Sequence, residues 1–172
     1  MKRVIVAAVA VLMLAGCQKP VAPAATESHA VSGEVHVGAL DLTDYAMRAA
    51  LGNNSATAAY VTIRNGGTAD DTLLSASCAC AAKASLHTMT MKDGVMDMAE
   101  KPEGFVIHAG ETLVFAPGGN HIMLQDLTTR PADGTTEAVT LVFQKAGPVT
   151  VQMPVSNTPL ADKKTDMAGM KM

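Results

Sequence analysis

The sequence predicts an all-β domain of the sandwich or barrel type, and three observations carry that prediction. Short runs of alternating apolar and polar residues recur from Glu34 to Val155. Gly, Asn, Asp and Pro break them about every eight to twelve residues, the rhythm of turns between short strands. Only Asp44 to Leu51 offers a pattern compatible with a helical turn. The chain has 172 residues, of which 48% are hydrophobic and 17% charged, enough for one packed domain with extensions.

At the start of the chain, Lys2 and Arg3 precede an apolar run from Val4 to Leu14. This run is too short to span a bilayer comfortably and has the length of a signal-peptide apolar region. Leu14-Ala15-Gly16-Cys17 follows at once and resembles the lipobox of bacterial lipoproteins. The resemblance implies cleavage before Cys17, whose sulfur then carries a diacylglycerol and whose amine is acylated, which leaves no free amino terminus. Removal of residues 1–16 takes two of the 13 basic residues and none of the 16 acidic ones, which shifts the net charge from −3 to −5. Residues 17–33, rich in Ala, Pro, Ser and Val, read as a flexible lipid-anchored linker with a reach of roughly 20 Å.

The strands follow in order within a domain expected over residues 34–155. Ala59 to Arg64 alternates and stops at Asn65-Gly66-Gly67. Thr72 to Ser77 is a second run. Ser85 to Met91 meets Asp93-Gly94 and resumes at Val95 to Met98. Phe105 to Ile107, Thr112 to Phe115, His121 to Leu127, Ala138 to Phe143 and Val149 to Val155 complete the series. Residues 156–172 lose the pattern and read as a disordered tail that carries Met167, Met170 and Met172.

Twelve methionines stand against two Tyr, three Phe and no Trp. A core filled with Met in place of aromatics is soft and poorly specified, so the sulfur has a use other than packing. His87, Met89 and Met91 share one face of a strand. A two-residue loop at Asp93-Gly94 sets Met91 opposite Met96 and Met89 opposite Met98; a three-residue loop breaks that register. His121 and Met123 share a face opposite to Ile122 and Leu124, just after the turn Pro117-Gly118-Gly119-Asn120. Imidazole and thioether together suit Cu(I), a soft closed-shell cation, better than Zn(II), which favours Cys, His and carboxylate.

The spacing resembles that of the periplasmic copper chaperone family known as PCuAC. His87 is followed after ten residues by Met98 and after a further twenty-two by His121-x-Met123. His87-Thr88-Met89, Asp93-Gly94-Val95-Met96 and Pro117-Gly118-Gly119-Asn120-His121-Ile122-Met123-Leu124 are similar to the family's phrases, over about Val35 to Val155. The resemblance implies a cupredoxin-like Greek-key β-sandwich or barrel that carries one Cu(I) on His87, Met98, His121 and Met123. It implies delivery to the copper subunit of cytochrome c oxidase or to a partner chaperone in the periplasm of a Gram-negative bacterium; the lipobox adds the membrane anchor, and a monomer is expected. Three features depart from the family's common form: the lipid anchor, the pair Cys78-Ala79-Cys80, and a tail with Met but no His.

Other residues receive ordinary readings. Met91 and Met96 are expected to pack or to form a secondary sulfur patch, with packing favoured. His36 and His108 are expected at the surface. In an extended strand Cys78 and Cys80 lie about 6.6 Å apart, so a disulfide needs a turn or bulge at Ala79. A structural disulfide is expected, with a copper-binding or exchanging dithiol as the alternative. Copper buffering or resistance, and a thiol–disulfide oxidoreductase using Cys78 and Cys80, are the competing functions. The Cys pair lacks the C-x-x-C spacing that lowers a thiol pKa. No hydrolase pattern stands out, and the protein is expected not to be an enzyme. The absence of a basic stripe and the scarcity of aromatics disfavour a nucleic-acid partner.

Overall fold

The computed structural model describes residues 33–92 and 94–158. These residues form eleven β-strands and no helix. In chain order they are β1 (Val35–Val37), β2 (Leu40–Arg48), β3 (Ala56–Asn65), β4 (Asp71–Cys78), β5 (Ala81–Lys92), β6 (Val95–Glu100), β7 (Phe105–Ile107), β8 (Thr112–Phe115), β9 (His121–Leu127), β10 (Thr136–Phe143) and β11 (Gly147–Ser156). Each run of alternation in the sequence is a strand. The leader, Cys17, the linker up to residue 32 and the tail methionines lie outside the described residues.

The helical turn expected over Asp44 to Leu51 is absent; most of that stretch is the second half of β2. Asp44 adopts φ 51°, and the pairing with β3 shifts between Thr43 and Ala46. This bulge moves the buried set from Leu40 and Leu42 to Ala46 and Met47. The jump from 42 to 46 breaks the two-residue period and imitates helical spacing.

The strands pair in the order β6-β5-β9-β3-β2-β11-β10-β4-β7, with β1 added to β2 and β8 to β3. All ladders are antiparallel except a short parallel seam where Val155 and Ser156 meet Met47 and Arg48. β6 and β7 end the path unpaired with each other, so the sheet stays open and the arrangement is a sandwich, not a closed barrel. One core cluster joins both halves: Leu42, Ile63, Phe115 and Ile122 meet Leu73 and Leu141. Burial of these side chains, at roughly 1.5–3 kcal/mol each, is what makes the pairing of distant strands favourable.

Buried polar groups secure the connections. The Asp71 carboxylate accepts hydrogen bonds from the amides of Thr72, Lys145 and Ala146 at 2.7–3.0 Å, which ties the start of β4 to the β10–β11 turn. Gly104 passes so close to β4 that a Cβ there would lie 2.2 Å from the Leu73 carbonyl oxygen.

Candidate metal centre

β5 and β9 run side by side, and their register sets His87 opposite His121 and Ser85 opposite Met123. On its other side β5 pairs with β6, with Glu100 opposite His87, Met98 opposite Met89 and Met96 opposite Met91. The two-residue loop thus holds the register the sequence predicts, and Gly94 takes the φ of 79° that such a turn needs. Residues directly opposite share a face. One face of three adjacent strands therefore carries both imidazoles, Ser85, Glu100 and five thioethers. Leu86, Ile122 and Leu124 point to the other face and are buried in the core.

The imidazoles are the close contact. Their ring centroids lie 5.5 Å apart with planes at 23°. Both residues are buried, at 7% and 9% exposure. The turn before β9 holds His121: Gly119 N–H donates to Ala116 O at 3.0 Å, and Ala116 N–H donates to Asn120 O at 2.8 Å. His121 Nδ1 lies 3.1 Å from the Gly119 carbonyl oxygen, which can only accept. That bond places the proton on Nδ1 and leaves the Nε2 lone pair free in the neutral ring.

His87 is held the other way round. Its Nε2 lies 2.9 Å from Ser85 Oγ, and its Nδ1 is buried with no hydrogen-bond partner. A Nε2–H donated to Ser85 leaves a bare Nδ1 lone pair, the form a metal ion takes. Burial, and then the positive charge of a protonated His121, push the His87 pKa below 6.5, against the pull of Glu100. The ring is thereby held in its neutral, donor-competent state. Residue-type patterns did not reveal Ser85 as the partner; its place two residues before His87 on one strand face was the available signal.

The thioethers flank this pair on opposite diagonals. Met123 is half-buried, one step from His87 toward Ser85. With Arg48, Thr57, Tyr60 and His121 it lines a surface hollow. Met98 is one diagonal step the other way, on the edge strand β6, and is 49% exposed. The structure therefore brings His87, His121 and Met123 into one neighbourhood, whereas Met98 and Met123 are not neighbours.

Two ordinary readings need correction or completion. Met91 and Met96 do not pack in the core: they are 66% and 45% exposed. Beyond His87, β5 pairs only with β6 among the described residues, so this end of the hairpin has no third strand beside it. Cys78 and Cys80 are joined by a disulfide, with Cα atoms 5.1 Å apart. Residues 79–80 form the required turn, where the chain passes from β4 to β5. Thr128 Oγ1 donates to Ala79 O at 2.8 Å and braces that turn. Both sulfur-bearing residues are buried, which shields the bond from exchange with other thiols. His36 and His108 are exposed, as expected, and hydrogen-bond to Asp41 and Asp70.

Comparison with known proteins adds the following. The profile of the family described as "Putative lipoprotein LpqE-like" matches residues 40–155. That of the prokaryotic membrane lipoprotein lipid attachment site matches residues 1–18, which include Cys17. A protein of Leifsonia xyli subsp. xyli, "Putative lipoprotein Lxx21020", is 37% identical over 101 residues; the match covers 59% of this chain and 61% of that protein. Among solved structures, the copper-bound PCuAC domain from PmoF2 superposes with a TM-score of 0.63 at 24% identity, over 73% of this chain and 99% of that one. Cu(I)-bound DR1885 from Deinococcus radiodurans gives a TM-score of 0.57 at 26% identity, over 73% and 81%. The sandwich therefore has the cupredoxin-like fold of PCuAC domains.

Proposed function

Since this chain belongs to the LpqE-like lipoprotein family, we propose that it is a membrane-anchored, extracytoplasmic copper chaperone. It binds one Cu(I) tightly and transfers it without turnover. The observation that carries this reading is the buried, stacked pair His87–His121, with an unpartnered Nδ1 on one ring and a free Nε2 on the other. Copper in the PmoF2 and DR1885 structures supports the choice of metal.

In this reading His87 and His121 supply nitrogen, Met123 adds sulfur from beside them, and Met98 closes the set by swinging inward from its exposed place on β6. Neutral imidazole and thioether leave the ion's single positive charge uncompensated, so it is held less firmly than by thiolates. A half-open site with a mobile thioether also lets an incoming ligand replace one donor at a time. The recipient is the copper subunit of cytochrome c oxidase or a second chaperone, reached from the lipid anchor of a monomer facing the periplasm.

Anaerobic Cu(I) titration against a chromophoric Cu(I) chelator, with X-ray absorption on the loaded protein, tests this. Mixed nitrogen and sulfur shells are expected, with His121→Ala and Met123→Ala each weakening affinity more than tenfold. Ser85→Ala, which frees His87 to rotate, is expected to cost about 10–100-fold, the usual effect of losing a group that orients a ligand. Unchanged affinity in both His121→Ala and Met123→Ala would remove the proposal.

A further inference from the structure

The β5–β6 hairpin shows a pattern that packing does not explain. All six residues of β6 are exposed, as are Thr90, Met91 and Lys92 of β5. A strand with one buried face must alternate; a hairpin tip with both faces in water is under no such demand. Yet every thioether of this tip falls on one face. Met89, Met91, Met96 and Met98 occupy it, while the other carries Thr88, Thr90, Lys92, Val95, Asp97 and Ala99 and no sulfur. Large apolar side chains left in solvent cost solubility at an unpaired edge strand, where charge or proline is the usual protection. The sulfur-bearing face is also the face of His87 and His121.

The cross-strand register turns these side chains into pairs. Met91 stands opposite Met96, and Met89 opposite Met98. Directly opposite residues in an antiparallel ladder lie about 4.5–5.5 Å apart at Cα, so flexible thioethers can turn their sulfurs onto one ion. From His87 to Met91 is four residues, or about 13 Å along the strand. An ion held by Met91 and Met96 is thus separate from one held by the imidazoles, and Met98 stands between them.

We propose that Met91 and Met96, backed by Met89 and Met98, form a second, all-thioether Cu(I) site at the hairpin tip, which loads and unloads the imidazole site. The inference rests on the copper reading above and deepens it. Movement between the sites is ligand exchange. A Cu–S bond to Met96 or Met91 breaks as one to Met98 forms, and the remaining tip bond gives way to nitrogen of His87 while Met98 stays bound. Copper remains Cu(I), the thioethers are neutral throughout, and no electron or proton is transferred. An exposed site of sulfur alone is weaker than one with two buried imidazoles, so the ion passes inward unless a partner removes it.

The test uses the full chain under anaerobic conditions, with Cu(I) as the probe and methyl-¹³C-labelled methionine followed by NMR. The first equivalent is expected to shift Met123 and Met98. The second is expected to shift Met91 and Met96, with an affinity at least tenfold lower. Met91→Leu/Met96→Leu keeps volume and fold and is expected to reduce the stoichiometry from two to one without loss of the tight equivalent. His87→Ala/His121→Ala is expected to lose the tight equivalent and retain the weak one. Substitution of Met167, Met170 and Met172 by Leu is expected to leave two equivalents. A second equivalent that survives Met91→Leu/Met96→Leu, that vanishes with the tail methionines, or that never appears would overturn the tip site. None of these results touches the imidazole site, which fails if His87→Ala/His121→Ala leaves tight binding intact.

Discussion

His87 and His121 show how much depends on which nitrogen is engaged. A carbonyl oxygen fixes the proton of His121, and a hydroxyl occupies one side of His87, so that donor atoms remain on both rings. Residue identity was legible: imidazole and thioether at that spacing already named a soft cation. Orientation was not, because Ser85 and the Gly119 carbonyl act through geometry that residue type does not encode. The exposed histidines behave oppositely. Its hydrogen bond to Asp70 raises His108 above 6.5, while the Ala109 amide and then His108 lower Asp70 below 3.8. The pair's small contribution to stability is complete between those values. It fades as pH rises through the raised His108 pKa, and again as pH falls through the lowered Asp70 pKa. Both groups are solvent-exposed, so the effect is screened. Asp70→Asn is expected to bring the His108 titration, followed by imidazole NMR, back toward 6.5 with little change in thermal stability. A titration left where it was would show that Asp70 is not the cause.

At the scale of elements, local signals and long-range ones separate cleanly. The Asp93-Gly94 loop set the β5–β6 register in advance, since a two-residue turn leaves one pairing open. The bulge in β2 did the reverse: at Asp44 it shifted the phase of burial, and a strand read as a helical turn. Burial of Met91 and Met96 could not be read either, because alternation shows that two faces differ and not whether either is covered. The Cys78–Cys80 bond sits where the chain leaves one half of the sandwich for the other, in a turn braced by Thr128. A cross-link closing so short a loop removes little entropy from the unfolded chain, about 1–2 kcal/mol by the loop-length relation. Cys78→Ala/Cys80→Ala is accordingly expected to lower the melting temperature by several degrees and to leave Cu(I) affinity unchanged. Loss of tight copper binding in that variant would instead make the cysteines part of the site.

For the whole molecule, the proposed function divides address and cargo between the lipid anchor and the sandwich. The lipid attachment profile covers residues 1–18, and Cys17 is the cysteine within them, so we propose it as the acylated residue. Cys17→Ser is expected to abolish labelling by radioactive fatty acid and to release the protein from the membrane fraction, with Cu(I) affinity of the domain intact; continued labelling would refute Cys17 as the acylated residue. Taken alone, the sequence determined what depends on neighbours along the chain: the strand periods, the hairpin register, the export and lipidation signal, and the choice of soft donors. Only the tertiary structure decided which strands lie side by side. β5 and β9 meet because Leu86, Ile122 and Leu124 share one core with strands far away in sequence, and that burial sets His87 against His121. Pairing between distant strands is chosen by the packing of the whole core, which no local run of residues specifies.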